Sequence, residues 1–538
     1  MHSFYFSGEV CDGETVRVYA IYGVPKHCRK KLPALLHIHG GGQTAFVHWL
    51  NFWNERGYAA LSFDWGGEWG EQRPYPAIWG ERLKHCNNRH GSDKICAVHP
   101  SPRESSWYHW ALVSRRALTV LERQKEVDPK RLGIFGISMG GTIVWNVAGM
   151  DRRVKAACAI YGVGWNSYPA DKYENDPKAT DPDSLTWRRT MAPESYASLV
   201  KCPTLFLNAS NDQHGKMDRS FETLNAMRTP WRIGYTPRYR HHIAEAQGRL
   251  LPHWMDTCLR GGPELPQSPR GEMSLDPDGV PLLRVSPDAA DEVSRVEVFY
   301  AIKNAYPLSR YWRDATVRKK KLHWLATLPV LNTKHRLFAF ANVHYRAGFA
   351  LTSNFEAVIP ADLGRARATD KRDMTIADFK TGLDGFITHS TTPDPCVFLS
   401  GLVRAKGPGA RHGIRQKHWC AIITHKIGDP RWQGPDGATL HIDVYSPQAC
   451  VLEIVFHENE GTDNARRFKF PLSLRAGGAW RRIRISAGQL EEIDTEKPRN
   501  LKNWRKVNML EFRMLDPPKK RPILTNIRWV LPKEKISP

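Results

Sequence analysis

Gly136-Ile137-Ser138-Met139-Gly140-Gly141 sets a serine among small residues where an apolar run meets a helical pattern. A strand is predicted over Leu132 to Phe135 and a helix over Thr142 to Ala148, so Ser138 falls on a tight strand-to-helix turn. Such a G-x-S-x-G elbow exposes a hydroxyl for attack on an acyl carbonyl. A second motif, His39-Gly40-Gly41-Gly42-Gln43-Thr44, also follows an apolar run. Consecutive glycines free backbone amides. Those of Gly41, Gly42 and Gln43, together with Met139, are candidates for holding the oxyanion of a tetrahedral intermediate.

Attack by serine needs a base, and the base needs a carboxylate to orient it. The apolar run Thr204 to Asn208 delivers Asp212 at its carboxyl end, with Asp218 as the competing acid. Arg240-His241-His242-Ile243 lies about thirty residues further on, just ahead of a helix starting near Glu245. His241 or His242 is the base, His241 being preferred; His253 falls inside that helix and His214 crowds the acid. The chain order Ser, Asp, His is that of α/β-hydrolases and differs from the chymotrypsin and subtilisin orders.

The elements that must position these groups alternate in type. Short apolar runs at Ala34 to His39, Ala59 to Phe63, Leu132 to Phe135, Ala156 to Tyr161 and Pro203 to Asn208 are separated by helical patterns such as Trp107 to Gln124. That alternation predicts a largely parallel sheet covered on both faces. A Pro/Gly-rich stretch from Gly261 to Pro266 is expected to end this first domain, 1–262. Alternating strands follow, and they predict a linker and β-sandwich over 263–367. After the basic Gly364-Arg365-Ala366-Arg367 segment, a jelly-roll is expected over 368–538. Two loops at the ends of parallel strands, Asp64 to Ser106 and Val163 to Ser198, should border the site. Their Trp65, Trp69, Trp165 and Tyr168 are candidate sugar-stacking residues. The histidines in the first loop lack metal-site spacing, so no metal is expected.

Through His39 to Thr44, the Ser138 elbow, Asn208 to Asp218 and His241-His242, residues 1–262 resemble the dienelactone-hydrolase and prolyl-oligopeptidase branch of the α/β-hydrolases. More narrowly they resemble its acetyl-xylan-esterase-like enzymes. The resemblance implies carboxylester hydrolysis, often glycan deacetylation, by secreted or periplasmic enzymes without a cofactor. Residues 368–532 are similar to the jelly-rolls of carbohydrate-binding modules, through Asp384-Gly385-Phe386 and Asn526-Ile527-Arg528-Trp529. The expected fold is therefore an α/β-hydrolase with C-terminal β-sandwich and jelly-roll domains. A prolyl-oligopeptidase-like peptidase is a rival reading, although no propeller repeat precedes the elbow. A glycan-binding protein on a hydrolase scaffold is another.

Composition narrows the partners. With 41% hydrophobic and 25% charged residues over 538 positions, the chain reads as a multidomain globular protein. It has no apolar run of the roughly 18–20 residues that a membrane helix needs. Its net charge of +23 is spread through both halves without a long basic tail. That distribution suits an anionic polysaccharide or oligosaccharide substrate, or a generally basic background, better than nucleic acid. Ten cysteines show no C-x-x-C spacing, and Cys86 with Cys96 is the one pair nominated for a disulfide. Met1 to Phe6 reads as a strand and not as a leader, so either the protein is cytoplasmic or a leader was removed.

Overall fold

The structure, a computed structural model, describes residues 1–67, 77–87, 94–163, 172–173, 181–389, 401–417, 421–514, 516 and 518–532. Strands β1 (His2–Cys11) and β2 (Glu14–Gly23) form a hairpin across Asp12-Gly13. Both turn residues have positive φ (51° and 82°), as expected of an Asp-Gly turn between twisted strands. The first unit continues with β3 (Leu32–Ile38), α1 (Val47–Asn54), β4 (Ala59–Phe63), α2 (Ser106–Glu122), β5 (Val127–Ile137), α3 (Met139–Met150) and β6 (Val154–Ile160). It closes with α4 (Pro182–Thr190), α5 (Pro193–Ala197), β7 (Thr204–Ala209), α6 (Met217–Asn225), β8 (Trp231–Thr236), α7 (Glu245–Gly248) and α8 (Leu250–Arg260).

These eight strands make one sheet in the order β1-β2-β4-β3-β5-β6-β7-β8. β2 runs antiparallel to β1 and β4, and β4 through β8 are mutually parallel. This is the strand order of the α/β-hydrolase fold. The central strands are apolar on both faces. Ala34, Leu36 and Ile38 of β3 point into one core with α2 and α3, and Leu35 into the other with α1 and α8. A parallel strand buried on both sides must read as a continuous apolar run, and β3 does.

Residues 270–358 form two antiparallel sheets of four and five strands. Their core is continuous with the hydrolase core. Phe299, Trp312, Phe338 and Phe340 belong to one cluster with α2 and α3, while Leu283, Val298 and Ala341 join the cluster around α8. The Gly261 to Pro266 stretch is accordingly pinned, not free: buried Arg232 donates to the carbonyls of Pro266 and Leu265. Twelve strands among the described residues between Thr375–Ala377 and Ile523–Val530 form two six-stranded antiparallel sheets packed over a separate core. The C-terminal half is thus built of β-sandwiches. Buried Arg313 couples the two, bound to Asp370 at 2.7 Å and to Asp429.

The cysteine expectation is corrected. No disulfide joins Cys86 to Cys96, and Cys86 is buried in the hydrolase core. No helix among the described residues is long and apolar enough to cross a membrane.

Candidate active site

Ser138 joins β5 to α3 with φ 58° and ψ −117°, a backbone region that costs a non-glycine residue about 1–3 kcal/mol. The surroundings enforce it. Its N–H donates to Ile160 O of β6 at 2.8 Å, and its carbonyl accepts the N–H of Thr142 at 3.1 Å to start the helix. The flanking glycines are required by close approach. A Cβ on Gly140 would stand 2.1 Å from Ile38 O, and one on Gly136 2.3 Å from Gly140 O. The motif spacing therefore lets α3 begin directly against the end of β3.

That end of β3 carries His39. Both ring nitrogens of this fully buried residue face oxygens: Nδ1 faces Gly40 O at 2.7 Å and Nε2 faces Asp64 Oδ1 at 3.1 Å. Asp64 also accepts the backbone N–H groups of Gly66 and Ala77, each at 3.1 Å. Trp65 stacks on His39 with ring centroids 4.8 Å apart, and its indole N–H donates to His39 O. With 0% of its surface exposed, Trp65 presents no face to a sugar. The expectation that it stacks on substrate is corrected: it props the glycine turn. Trp69, Trp165 and Tyr168 lie outside the described residues.

The turn itself narrows the oxyanion candidates. Gln43 Oε1 accepts the N–H of Gly40 at 2.8 Å, and the Gln43 N–H donates to Gly40 O at 3.2 Å. The Gln43 amide is thus spent on closing the turn, which corrects its place among the candidates. Gly41 and Gly42 remain, with Met139 as the first residue of α3, where helix geometry leaves the N–H without an intrahelical acceptor. Donors at a helix start favour developing negative charge.

Asp212 lies just past the carboxyl end of β7, 1% exposed. Its Oδ2 accepts a hydrogen bond from His241 Nδ1 at 2.7 Å, and its Oδ1 accepts the backbone N–H of His214 at 2.5 Å. This resolves the choice of histidine bound to the acid in favour of His241. His242 packs its ring on Tyr239 instead. Burial lowers the pKa of both His214 and His242, which favours their neutral forms. The competing acid, Asp218, is spoken for as well. It is buried in a bidentate pair with Arg310 of the second unit, at 2.7 and 2.9 Å.

Tyr161 links the two halves of the site. It follows Ile160, whose carbonyl holds Ser138, and its ring stacks on His241 with centroids 3.8 Å apart. With Nδ1 on the carboxylate, His241 keeps Nε2 for a substrate-side proton, and about a quarter of its side chain is open to solvent. The arrangement can run nucleophilic acyl transfer.

Three further residues escaped the sequence reading. Asn211, directly before the acid, sends its side-chain N–H groups to the carbonyls of Pro307, Leu308 and Arg310 at 3.0, 3.1 and 2.7 Å. Arg240, directly before His241, is ion-paired to Glu460 of the C-terminal sandwich. Glu460 also binds buried His425 at 3.1 Å. Burial pushes the Glu460 carboxyl up, but the His425 hydrogen bond and the Arg240 charge outweigh it and hold it at about 2. The acid loop and the base loop are each tied to a different β unit. In the sequence, adjacency to Asp212 and His241 could have flagged Asn211 and Arg240, and no local pattern points to Glu460. No cluster of metal-ligating side chains occurs among the described residues.

Against known proteins, residues 2–164 match the family model described as acetyl xylan esterase (AXE1), and residues 103–241 match the dienelactone hydrolase family. No curated protein matches the chain in sequence. Among solved structures, acetyl xylan esterase 1 from Thermoanaerobacterium sp. is 20% identical with a TM-score of 0.37, covering 47% of this chain and 81% of that one. An acetyl xylan esterase from Paenibacillus sp. is 18% identical with a TM-score of 0.37, covering 48% and 89%. An acylaminoacyl peptidase from Pyrococcus horikoshii is 16% identical with a TM-score of 0.32, covering 45% and 37%.

Proposed function

From an N-terminal half that is an α/β-hydrolase and, by the families it matches, an ester hydrolase, we propose that this protein is a serine carboxylesterase that removes acyl groups, acetyl foremost, from a polysaccharide or oligosaccharide. Ser138 Oγ attacks the acyl carbonyl while His241 Nε2 takes its proton, and Asp212 on Nδ1 orients the ring and stabilises its cation. The amides of Gly41, Gly42 and Met139 receive the oxyanion. Collapse expels the sugar alcohol, which takes the proton back from His241. Water then attacks the acyl-Ser138 ester with His241 again as base, releasing the acid and restoring the serine. No step calls for a cofactor.

The reading rests above all on the 2.7 Å hydrogen bond that fixes His241 on Asp212, beside an elbow built for a nucleophile. The matched acetyl xylan esterase model supports a glycan ester as substrate, and the net charge of +23 supports an anionic one. We further read the chain as a hydrolase domain over 1–262, a β-sandwich over 263–367 and a jelly-roll resembling carbohydrate-binding modules over 368–538, acting outside the cytoplasm. The test is acetate release from a panel of acetylated neutral and anionic glycans by the native chain and by Ser138→Ala. Release from at least one glycan that vanishes with Ser138→Ala is expected. Cleavage of p-nitrophenyl acetate with no release from any glycan would overturn the substrate.

A further inference from the structure

A cavity of about 950 Å³ opens where the three units meet, walled by Arg238 and Tyr239 from the loop that also carries His241, by strands of the middle sandwich and by Lys426 and Trp432 of the C-terminal one. Its volume is at the upper end of the roughly 300–1,000 Å³ typical of ligand sites. Most cations on its wall are already paired. Arg238 binds Asp314 at 2.6 Å, Arg295 binds Glu297 at 3.3 Å, Arg313 binds Asp370 at 2.7 Å, Arg431 binds Asp370 at 3.0 Å, and Arg249 binds Glu245.

Lys426 differs. It is 8% exposed, yet among the described residues no carboxylate reaches its ammonium within ion-pair range. Among the described residues Nζ meets the carbonyl oxygen of Asp384, at 3.4 Å, and the ring of Trp432, 4.5 Å from its centroid. Burial pushes this amine down to about 8, partly offset by the more distant charges of Asp384, Asp373 and Asp429. The Trp432 ring beside it is 9% exposed, and its indole N–H has no acceptor among the described residues. A buried cation that lines a cavity and meets no carboxylate among the described residues is costly unless a ligand completes it.

We propose that this cavity binds an anionic sugar unit, its carboxylate or sulfate taken by Lys426 Nζ. The proposal rests on the glycan reading above and deepens it, by giving the acidic part of the polymer a place distinct from Ser138. Because Arg238 and Tyr239 belong to the His241 loop, a chain held here lies against the wall of the catalytic loop. The other wall cations keep their own carboxylates, so the added negative charge is matched by Lys426 alone.

The test is calorimetric titration of the full-length Ser138→Ala chain, which cannot turn substrate over. The probes are an oligogalacturonate, a sulfated galactan oligosaccharide and neutral xylohexaose. At least one anionic probe should bind about tenfold or more tightly than xylohexaose, and the two anionic arms tell carboxylate from sulfate. Adding Lys426→Met, which keeps the stem and deletes the charge, should weaken that binding about tenfold or more. Lys426→Arg, which keeps a cation, should retain more of that binding than Lys426→Met and serves as an independent variant. Removing an unpaired buried cation should not lower the unfolding temperature, so Lys426→Met is expected to fold. No anionic binding, equal binding of xylohexaose, or unchanged affinity in Lys426→Met would overturn the proposal. The assay needs no catalysis, so an inactive enzyme that still binds through Lys426 would sink the esterase reading and leave this site standing.

Discussion

Glu460 should matter to catalysis although it lies in the C-terminal sandwich. Its carboxylate binds Arg240, the residue before His241, and buried His425. Glu460→Gln preserves shape and can keep one neutral hydrogen bond, but it removes the charge that Arg240 meets. Charge-assisted hydrogen bonds are worth about 1.5–3 kcal/mol. If that stabilisation is lost from the alignment of the His241 loop, kcat on p-nitrophenyl acetate should fall about 10- to 100-fold. KM for so small an ester should change little, because no acyl contact is removed. Arg240→Lys, which keeps a cation opposite Glu460, should retain more activity than Glu460→Gln. Glu458→Gln is the control: Glu458 pairs with Arg466 and not with the base loop, so kcat should be unaffected. Stopped-flow and steady-state kinetics on folded, monodisperse protein measure all three. Native kcat in Glu460→Gln, or an equal loss in Glu458→Gln, would refute the idea that this unit positions the base.

Asp212→Asn should lower kcat by about 10⁴-fold with the fold intact, as expected when the base loses its orienting carboxylate. Asp218→Asn should instead destabilise the protein by about 3–5 kcal/mol, because it leaves Arg310 buried without its partner, while activity per folded molecule survives; chemical denaturation and active-site titration separate the two. His241→Gln should abolish turnover and His242→Gln should not, as read by acetate release. Glu460 and Glu511 are both held near 2 in the folded chain, each by a histidine and an arginine that outweigh burial. Their pairing therefore contributes stability above the ordinary carboxyl range and loses it as pH falls from about 4.5 toward 2. Thermal unfolding followed between pH 6 and pH 3 should show that loss, and Glu460→Gln combined with Glu511→Gln should flatten the dependence.

The elbow and the glycine turn were legible because each is local. Gly136 and Gly140 are demanded by contacts within a few residues of Ser138 and by the end of the neighbouring strand. Parallel strands buried on both faces announce themselves as unbroken apolar runs, which is why β3 through β7 could be read directly. Side-chain direction was not legible. Trp65 stands on a loop at a strand end, as a sugar platform would, yet it turns inward onto His39. Whether His241 or His242 meets Asp212 depends on one peptide's orientation, which no spacing encodes. The Gln43 amide is illegible for a similar reason, since closing the turn consumes it on Gly40 O. The ties from Asn211 to Pro307 and from Arg240 to Glu460 join residues 96 and 220 positions apart, beyond any local pattern. They also tie the C-terminal half to the site, since it touches Asn211 and Arg240, the residues directly before Asp212 and His241.

The most direct measurement of the central claim is to treat the full-length chain with a fluorophosphonate and map the adduct by peptide mass spectrometry. One equivalent on the peptide containing Ser138, with esterase activity lost in proportion, is the predicted result, and Asp212→Asn should slow the labelling. An adduct at another serine, or full inhibition with Ser138 unmodified, would contradict the account.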